Sequence, residues 1–183
     1  MELAKGSEGG LDWIPNRKVR GEVTIFERRE RDGIDFDRAS PTDIWRALNI
    51  QNLDFTGVEA SLRLLPARGQ TLDFRYTGLR GVQDTIPAGF TKYTFNYPTH
   101  SGVVAWQAVW RNDVVLRTRV GVLDRRARDP YGLWDLYAAV AHGRVHPFLQ
   151  VSNVTSTSYQ EILGVAMPGR TVIGGIELVV RAH

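Results

Sequence analysis

Histidine and aspartate are the residue types in this chain whose spacing could suit a metal ion. Two of the four histidines, His142 and His146, lie four positions apart. Gly143 and Arg144 between them are typical of a turn, and zinc would need a third ligand and an enclosed shell. An acidic run contains Asp32, Asp35, Asp37 and Asp43. That run lacks the spacing and the glycine of an EF-hand, so a solvated outer loop is favoured. We expect no metal site and no cofactor.

Nucleophilic and phosphate-binding chemistry has no support in the residue pattern. The chain contains no cysteine, which excludes a thiol nucleophile, a cysteine-ligated zinc site and a disulfide scaffold. It has neither a P-loop nor a Gly-x-Ser-x-Gly elbow. The basic segment at residues 28–31 could bind lipopolysaccharide phosphates or an anionic substrate, but a mixed-charge loop is the simpler interpretation. The sequence therefore predicts no catalytic residue and a protein that is not an enzyme.

Composition by itself describes an ordinary folded protein. The 183 residues carry 23 Lys and Arg against 20 Asp and Glu, and 43% are hydrophobic, which argues against disorder and for one domain. The weak positive charge, without a basic face rich in aromatics, predicts no nucleic-acid partner. No apolar run is long enough for a membrane helix, and residues 1–10 lack the core of a signal peptide. These features favour a soluble domain, but a membrane β-barrel has the same composition because its apolar residues alternate.

Alternation with a period of two dominates the chain. In the clearest strand, residues 71–78, Leu72, Phe74 and Tyr76 fall on one face and polar residues fall on the other. Similar runs occupy residues 58–64, 103–110, 114–122, 134–140 and 172–181. The only helix-like segment, residues 41–48, is too short to favour a helix. The pattern therefore predicts an all-β fold.

Turn signals divide these runs into short and long connections that alternate. Short connections lie near residues 15–16, 66–69, 111–113 and 142–144, and longer ones at 28–41, 78–101, 123–132 and 153–168. Short periplasmic turns and long outer loops are typical of outer-membrane barrels. We predict an antiparallel meander of about 9–10 strands that forms a partial or small transmembrane-type β-barrel. No linker divides the chain, so residues 1–183 are expected to form a single barrel portion.

Alternation leaves open whether the apolar faces meet a protein core or lipid. A soluble β-sandwich, or a small ligand-binding barrel of lipocalin-like architecture, would point them inwards. A membrane barrel would point them at lipid, and tryptophans on the apolar faces suit its interfacial girdles. Interior packing of the diagnostic side chains would exclude the membrane hypothesis. These residues are Leu72, Phe74, Leu116, Trp134 and Leu136.

Several motifs resemble the barrel of TonB-dependent outer-membrane receptors. Residues 151–170, VSNVTSTSYQEILGVAMPGR, precede a final strand and resemble the end of these receptors, where an asparagine turn leads to a tyrosine and a Met-Pro-Gly-Arg loop opens the last strand. The matching positions are Asn153, Tyr159, Gly164, Pro168, Gly169 and Arg170. Upstream, NIQNLDFTGVE resembles the family's Asn…Gly-Val-Glu strand opening, with Asn49, Gly57 and Glu59 on the matching positions. Residues 97–100 and the pair 10–13 with 23–26 resemble further strands, so the likeness covers nearly the whole chain in order.

This resemblance implies a place in the cell outer membrane and a role in ligand uptake across it. The motif residues would build the barrel rather than touch ligand. The implied partners are outer-membrane lipid and a small molecule such as a siderophore, a carbohydrate or a peptide. A complete receptor also has a plug domain, through which TonB acts, and about twenty-two strands. Neither plug nor TonB box is visible here, so we expect a fragment of such a receptor barrel.

Overall fold

A computed structural model describes residues 3–31, 33–40, 42–50, 53–83, 90–91, 97–110, 113–125, 128–162 and 164–179. These residues form twelve β-strands and no α-helix, which confirms the all-β prediction. Among them, no helix has the length and apolar character needed to span a membrane. The strands are β1 (Leu3–Asn16), β2 (Val19–Arg31), β3 (Gly33–Arg38), β4 (Arg46–Ile50), β5 (Leu53–Leu64), β6 (Gln70–Gln83), β7 (Phe90–Thr91), β8 (Pro98–Val109), β9 (Val114–Arg125), β10 (Tyr131–Val140), β11 (Val145–Ser152) and β12 (Thr171–Leu178).

Nine of these strands form one antiparallel sheet. Their order is β1-β2-β5-β6-β8-β9-β10-β11-β12, so every strand neighbours the one before it along the chain. β1 and β12 each pair on one side only, and no pairing closes the sheet within the described residues. The predicted antiparallel meander is confirmed, and so is the expectation of an incompletely closed sheet.

The connections in this sheet form two sets. The short ones join residues 16–19, 64–70, 109–114 and 140–145, and the other set joins 31–53, 83–98, 125–131 and 152–171. Three members of the second set are longer than any short turn, 125–131 has the same length as 64–70, and we call all four the long connections. Successive strands are antiparallel, so all the short turns fall at one end and all the long connections at the other. Gly69 and Gly143 have positive φ values of 74° and 84° in two of the short turns, a conformation that favours glycine.

The main sheet is a single layer without an interior core. Among the described apolar residues only Leu53 and Ala108 are buried, at 7% and 6% exposure. A sandwich or a small soluble barrel would bury its apolar side chains between layers. None of the diagnostic side chains is buried, and Trp134 is 39% exposed. The lipocalin-like alternative is therefore not favoured.

One face of the sheet carries an apolar band, and the other carries charge. The cross-strand register runs from Trp13 through Leu62, Phe74 and Val104 to Trp134 along one row of the band. Val120 joins Val104 to Trp134 in this row. Alternate positions above and below the row add further apolar residues, namely Leu11, Val23, Ile25, Val58, Ala60, Leu64, Leu72, Tyr76, Trp106, Leu116, Val122, Leu136, Ala138, Leu149, Val151, Val172 and Ile176. The opposite, polar face carries Glu22, Glu59, Arg63, Asp73, Arg75, Arg117, Arg119, Asp135 and Glu177.

Aromatic rings cover glycines on the polar face. A Cβ added to Gly57 in β5 would overlap the ring of Phe26 in β2, and one added to Gly81 would overlap the Tyr97 hydroxyl. The rings of Phe55 and Tyr97 meet edge to face, with centroids 5.4 Å apart, a favoured aromatic geometry. These glycines therefore allow bulky rings to lie flat against the backbone of neighbouring strands.

We expect Gly57→Ala to lower the free energy of unfolding by about 1–3 kcal/mol, because the added methyl displaces the Phe26 ring. Gly9→Ala in β1 is the matched control, since its Cβ would meet no atom within 4 Å. Both changes restrict the unfolded chain equally, so their difference isolates the overlap. Urea unfolding in lipid vesicles measures both, and equal stabilities would contradict the prediction.

Candidate functional site at the long-connection end

The long connections fold into structure of their own beyond the main sheet. β3 pairs with β4 and with β7 in a three-stranded sheet. β3 and β4 belong to the connection after β2, whereas β7 belongs to the one after β6, so the β3–β7 pairing joins two connections. The guanidinium carbon of Arg38 lies 4.4 Å from the centre of the Trp45 ring, a cation–π contact. Ile34 and Phe36 of β3 are exposed and present an apolar surface at this end.

The last long connection, residues 153–170, is organised around Asn153. This residue is 4% exposed and has a positive φ of 50°, which asparagine tolerates better than most residues. Its side-chain nitrogen donates to the Thr157 carbonyl at 2.8 Å and the Pro168 carbonyl at 3.4 Å, and its Oδ1 accepts from the Thr157 amide at 2.9 Å. Its own amide donates to the Asp135 carboxylate at 2.9 Å. One buried side chain thus joins both ends of the loop, and the backbone contact fixes it to β10.

Arg170 links the far end of this connection to its beginning. The Arg170 Nε donates to the Val154 carbonyl at 2.7 Å, and the Arg170 amide donates to Ser156 Oγ at 3.4 Å. A Cβ on Gly169 would lie 3.0 Å from that hydroxyl oxygen. Gly164 has a φ of 81°, and its amide donates to Gln160 Oε1 at 2.9 Å. Glycine at both positions allows the chain to turn back closely on itself.

Tyr159 connects the same loop to the preceding one. Its ring stacks on Tyr131, with centroids 5.0 Å apart. Arg128 Nη1 also donates to the Gln160 carbonyl across the two connections, at 2.9 Å. Burial, with a smaller contribution from the negative charge of Glu161, raises the pKa of the Tyr159 hydroxyl above its ordinary value.

We expect the absorbance titration of Tyr159 to have its midpoint above pH 10, its ordinary value. The neutral phenol is favoured in the folded loop, so its contribution is complete below the unfolded pKa and is lost as pH rises through the folded pKa. The difference between the phenolate titrations of the unchanged protein and Tyr159→Phe reports this group alone. A difference curve centred at or below pH 10 would contradict the assignment.

The structure places the nine motif residues in three separate regions. Six of them share the 153–170 connection, namely Asn153, Tyr159, Gly164, Pro168, Gly169 and Arg170. Asn49 lies in β4 opposite Ile34. Gly57 and Glu59 lie in β5, and Glu59 borders a polar depression of about 170 Å³ together with Glu22 and Arg75. The six loop residues hold the 153–170 connection together, Asn49 belongs to the three-stranded sheet, and Gly57 and Glu59 form part of the polar face.

Of the histidines considered as metal ligands, His142 lies in the turn between β10 and β11, and His146 lies in β11. His142 Nδ1 is 3.4 Å from Asp113 Oδ2, and His146 Nε2 is 3.2 Å from the Gly143 carbonyl oxygen. Across the residues that the structure describes, no cluster of three potential metal ligands occurs. Of the acidic run, Asp35 and Asp37 lie in β3, Asp43 lies in the connection between β3 and β4, and Asp32 lies outside the described residues.

The basic segment at residues 28–31 lies in a strand, so the prediction of a loop there was wrong. β2 extends to Arg31, and its charges alternate between the two faces. Arg28 pairs with Glu30 at 2.7 Å and Arg29 with Glu27 at 2.6 Å, each two positions away on its own face. Main-chain pairing with β5 continues to Glu30, which explains why a charged segment remains extended.

Sequence reasoning missed one pair on the apolar band. Tyr76 Oη lies 2.7 Å from His100 Nδ1, and the two rings stack with centroids 6.1 Å apart. The pair depends on the register in which Tyr76 faces Gly102 and His100 faces Gly78. No local pattern in either strand reveals that register.

Comparison with known proteins gives matches at the level of structure. No family model and no curated protein matches this chain. The FrpB iron transporter from Neisseria meningitidis is similar with a TM-score of 0.71 and 14% identity, covering 96% of this chain and 30% of that chain. The copper transporter OprC gives 0.74 and 16%, covering 97% and 31%. The ferric yersiniabactin uptake receptor FyuA from Yersinia pestis gives 0.68 and 18%, covering 94% and 29%.

These likenesses show the fold. The chain spans about 30% of the length of the structures it matches. Its open nine-stranded sheet superimposes on part of their barrels almost from end to end. The architecture is therefore that of a sector of barrel wall.

Proposed function

We propose that this chain, which has the fold of the barrel wall of TonB-dependent outer-membrane receptors, forms a sector of such a wall in the cell outer membrane and contributes to ligand uptake. The observation that carries the proposal is the contrast between the two faces of one layer. The apolar band has no Asp, Glu, Lys or Arg between Val19 and Ile25 of β2 or between Val58 and Leu64 of β5. Transmembrane strands show this alternation, apolar towards lipid and polar towards the lumen.

Strand length supports a membrane location. A strand tilted by about 45° needs about 9–11 residues to cross the hydrocarbon core. Of the main strands, only β11 and β12 are shorter, with 8 residues each, and β1 and β6 reach 14. The additional residues of β2, β5 and β6 lie towards the long connections, where the face of the apolar band also carries charge, namely Glu27, Arg29, Arg31, Asp54 and Arg80. These strands would therefore cross the membrane and continue beyond it.

We infer that the ligand is a metal ion or a metal chelate such as a ferric siderophore, and not a carbohydrate or a peptide. Three neighbours are named for iron, copper and ferric yersiniabactin. The long-connection end faces outwards in outer-membrane barrels. Exposed Ile34 and Phe36 of β3, together with the 153–170 loop, would form part of the surface that a ligand meets first.

The polar face would line the lumen and meet the plug through which TonB acts. Glu22, Glu59 and Arg75 surround the depression of about 170 Å³. Among the described residues, no cation lies within 4 Å of either glutamate. A watery or plugged lumen accommodates such carboxylates, whereas lipid would not. In this role the motif residues Gly57, Glu59 and Asn153 are structural, and the protein carries out no catalysis.

Folding environment tests the membrane assignment. We expect the protein to form monodisperse β-structure in detergent micelles or lipid vesicles and to aggregate in plain buffer, because an open apolar face and open edges associate in water. Circular dichroism and light scattering in both media measure this. Cooperative unfolding of a monodisperse species in buffer alone would refute the proposal. Binding of a ferric siderophore to the vesicle-inserted protein, with an iron-free carbohydrate as control, tests the ligand class.

A further inference from the structure

A trough of about 840 Å³ lies within the apolar band. Small residues, Gly21, Ala60 and Gly102, alternate with larger ones along it. A Cβ on Gly102 would meet no atom within 4 Å, so the space above this glycine is open. The larger apolar lining residues are Leu11, Trp13, Val23, Leu62, Phe74, Tyr76, Val104, Val120 and Val122, and the intervening strand positions Glu22, Ser61, Arg75 and Val103 also border the trough. The trough is thus a mainly apolar recess on the face assigned to lipid, and its volume suits flexible hydrocarbon chains.

A cluster of cations lies on the same face, further along β1 and β2. Lys5 is the cross-strand partner of Arg29, and Arg31 is the next residue of β2 on that face. Arg29 pairs with Glu27 at 2.6 Å and lies 3.9 Å from Asp54. Lys5 and Arg31 are exposed, and no carboxylate of the described residues lies within 4 Å of them. We call Lys5, Arg29 and Arg31 the basic cluster.

The separation between trough and basic cluster matches one leaflet of a bilayer. Val23 lines the trough and Arg29 lies six residues further along β2, a distance of about 20 Å at about 3.3 Å per residue. A strand tilt of about 40° converts this to about 15 Å of height, which is half of the hydrocarbon thickness of about 30 Å. With the trough near the midplane, the basic cluster lies at the headgroup level. It does so at the long-connection end, which corresponds to the outer leaflet.

We propose that this sector binds a phosphorylated, multiply acylated glycolipid of the lipopolysaccharide class. Acyl chains would occupy the trough, and a phosphate would bind the basic cluster through charge-assisted hydrogen bonds. Glu27 and Asp54 hold Arg29 in place, which leaves Lys5 and Arg31 to neutralise the phosphate charge. The inference rests on the proposed function, because only a membrane-embedded wall brings the two features to these depths.

The test uses the protein inserted in phosphatidylcholine nanodiscs that contain a minor fraction of either lipid A or phosphatidylglycerol. Native mass spectrometry counts the lipid retained on the released protein. We expect preferential retention of lipid A, and a loss of about 30-fold in Lys5→Gln/Arg31→Gln, since each cation near an anionic headgroup contributes about fivefold. Gly102→Leu places a side chain in the trough from a position whose Cβ meets no atom within 4 Å, and it should also lower retention, with the charges unchanged. Lys18→Gln/Arg68→Gln makes the same charge change at exposed short-turn positions and should retain lipid A fully.

Three outcomes would overturn this inference. They are equal retention of the two anionic lipids, unchanged retention in Lys5→Gln/Arg31→Gln, or an equal loss in the short-turn control. In each of these the protein has entered the nanodisc, so the proposed membrane location stands. A protein that does not enter nanodiscs refutes the proposed function, and this inference with it.

Discussion

In lipid vesicles, Val104→Arg is expected to lower the free energy of unfolding by about 2–4 kcal/mol, the cost of a cation at the lipid face near the bilayer midplane. Val104 is 42% exposed and lies between Phe74 and Val120 in the apolar band. The residues directly opposite position 104 on both neighbouring strands are apolar. Urea unfolding of the vesicle-inserted protein, followed by tryptophan fluorescence, measures the difference.

Ala105→Arg is the matched control on the same strand. Ala105 follows Val104 in β8, points to the polar face, and lies between Asp73 and Arg119, whose charges offset each other. An arginine in a watery lumen should change stability little. Equal losses in the two variants, or a larger loss at Ala105, would show that the apolar band does not face lipid.

Asn153→Ala is expected to loosen the 153–170 connection at a cost of about 2–4 kcal/mol. The change removes three side-chain hydrogen bonds and leaves the Thr157 amide and the Pro168 carbonyl without that partner. Alanine also disfavours the φ of 50° at this position. Hydrogen exchange of the loop amides and limited proteolysis measure the local opening, and urea unfolding measures any effect on the sheet.

Two further variants separate the causes of that loss. Asn153→Gly keeps the backbone conformation available and removes only the side-chain hydrogen bonds. Thr155→Ala removes one exposed contact, with the Thr157 hydroxyl at 2.9 Å, and should leave the loop closed. If Asn153→Ala exchanged its loop amides no faster than Thr155→Ala, the organising role of Asn153 would be wrong.

The period-two pattern predicted the main sheet because each strand buries or exposes its faces by simple alternation. It set strand ends too early, however. Residues 71–78 were expected where β6 spans Gln70–Gln83. The alternation of apolar residues in β6 ends with the apolar band, but main-chain hydrogen bonds with β5 continue to Gln83. Hydrophobic periodicity therefore measures the apolar band and not the strand.

The small sheet could not be predicted from local pattern. Its β3–β7 pairing joins Asp37 to Thr91 across more than fifty residues, and such non-local contacts leave no periodic signal in either segment. The weak helix signal over residues 41–48 gave no helix in the described part, and Arg46–Ile50 pairs with β3 as a strand. Tertiary pairing decided a segment whose local preference was weak.

The family resemblance identified the candidate loop residues, but it did not predict which atoms they contact. The motif named Asn153 and Arg170, but the hydrogen bonds to Thr157, Pro168 and Val154 depend on a chain reversal that spacing alone does not specify. Phe26 over Gly57 is similar, since the contact follows from the β2–β5 register. Sequence gives residue types, whereas register gives neighbours.

Because β1 and β12 each pair on one side only, insertion of the sheet into a membrane and pairing of its two edges must occur together. Each strand presents a row of main-chain donors and acceptors along its outer edge. Water satisfies those groups in solution, but hydrocarbon does not, and each one left bare costs several kcal/mol. A half-inserted sheet is therefore less stable than either the solvated or the laterally partnered state. The bilayer thus favours all-or-none membrane entry, in which each edge pairs with a strand of another copy or another chain as the apolar band reaches full depth.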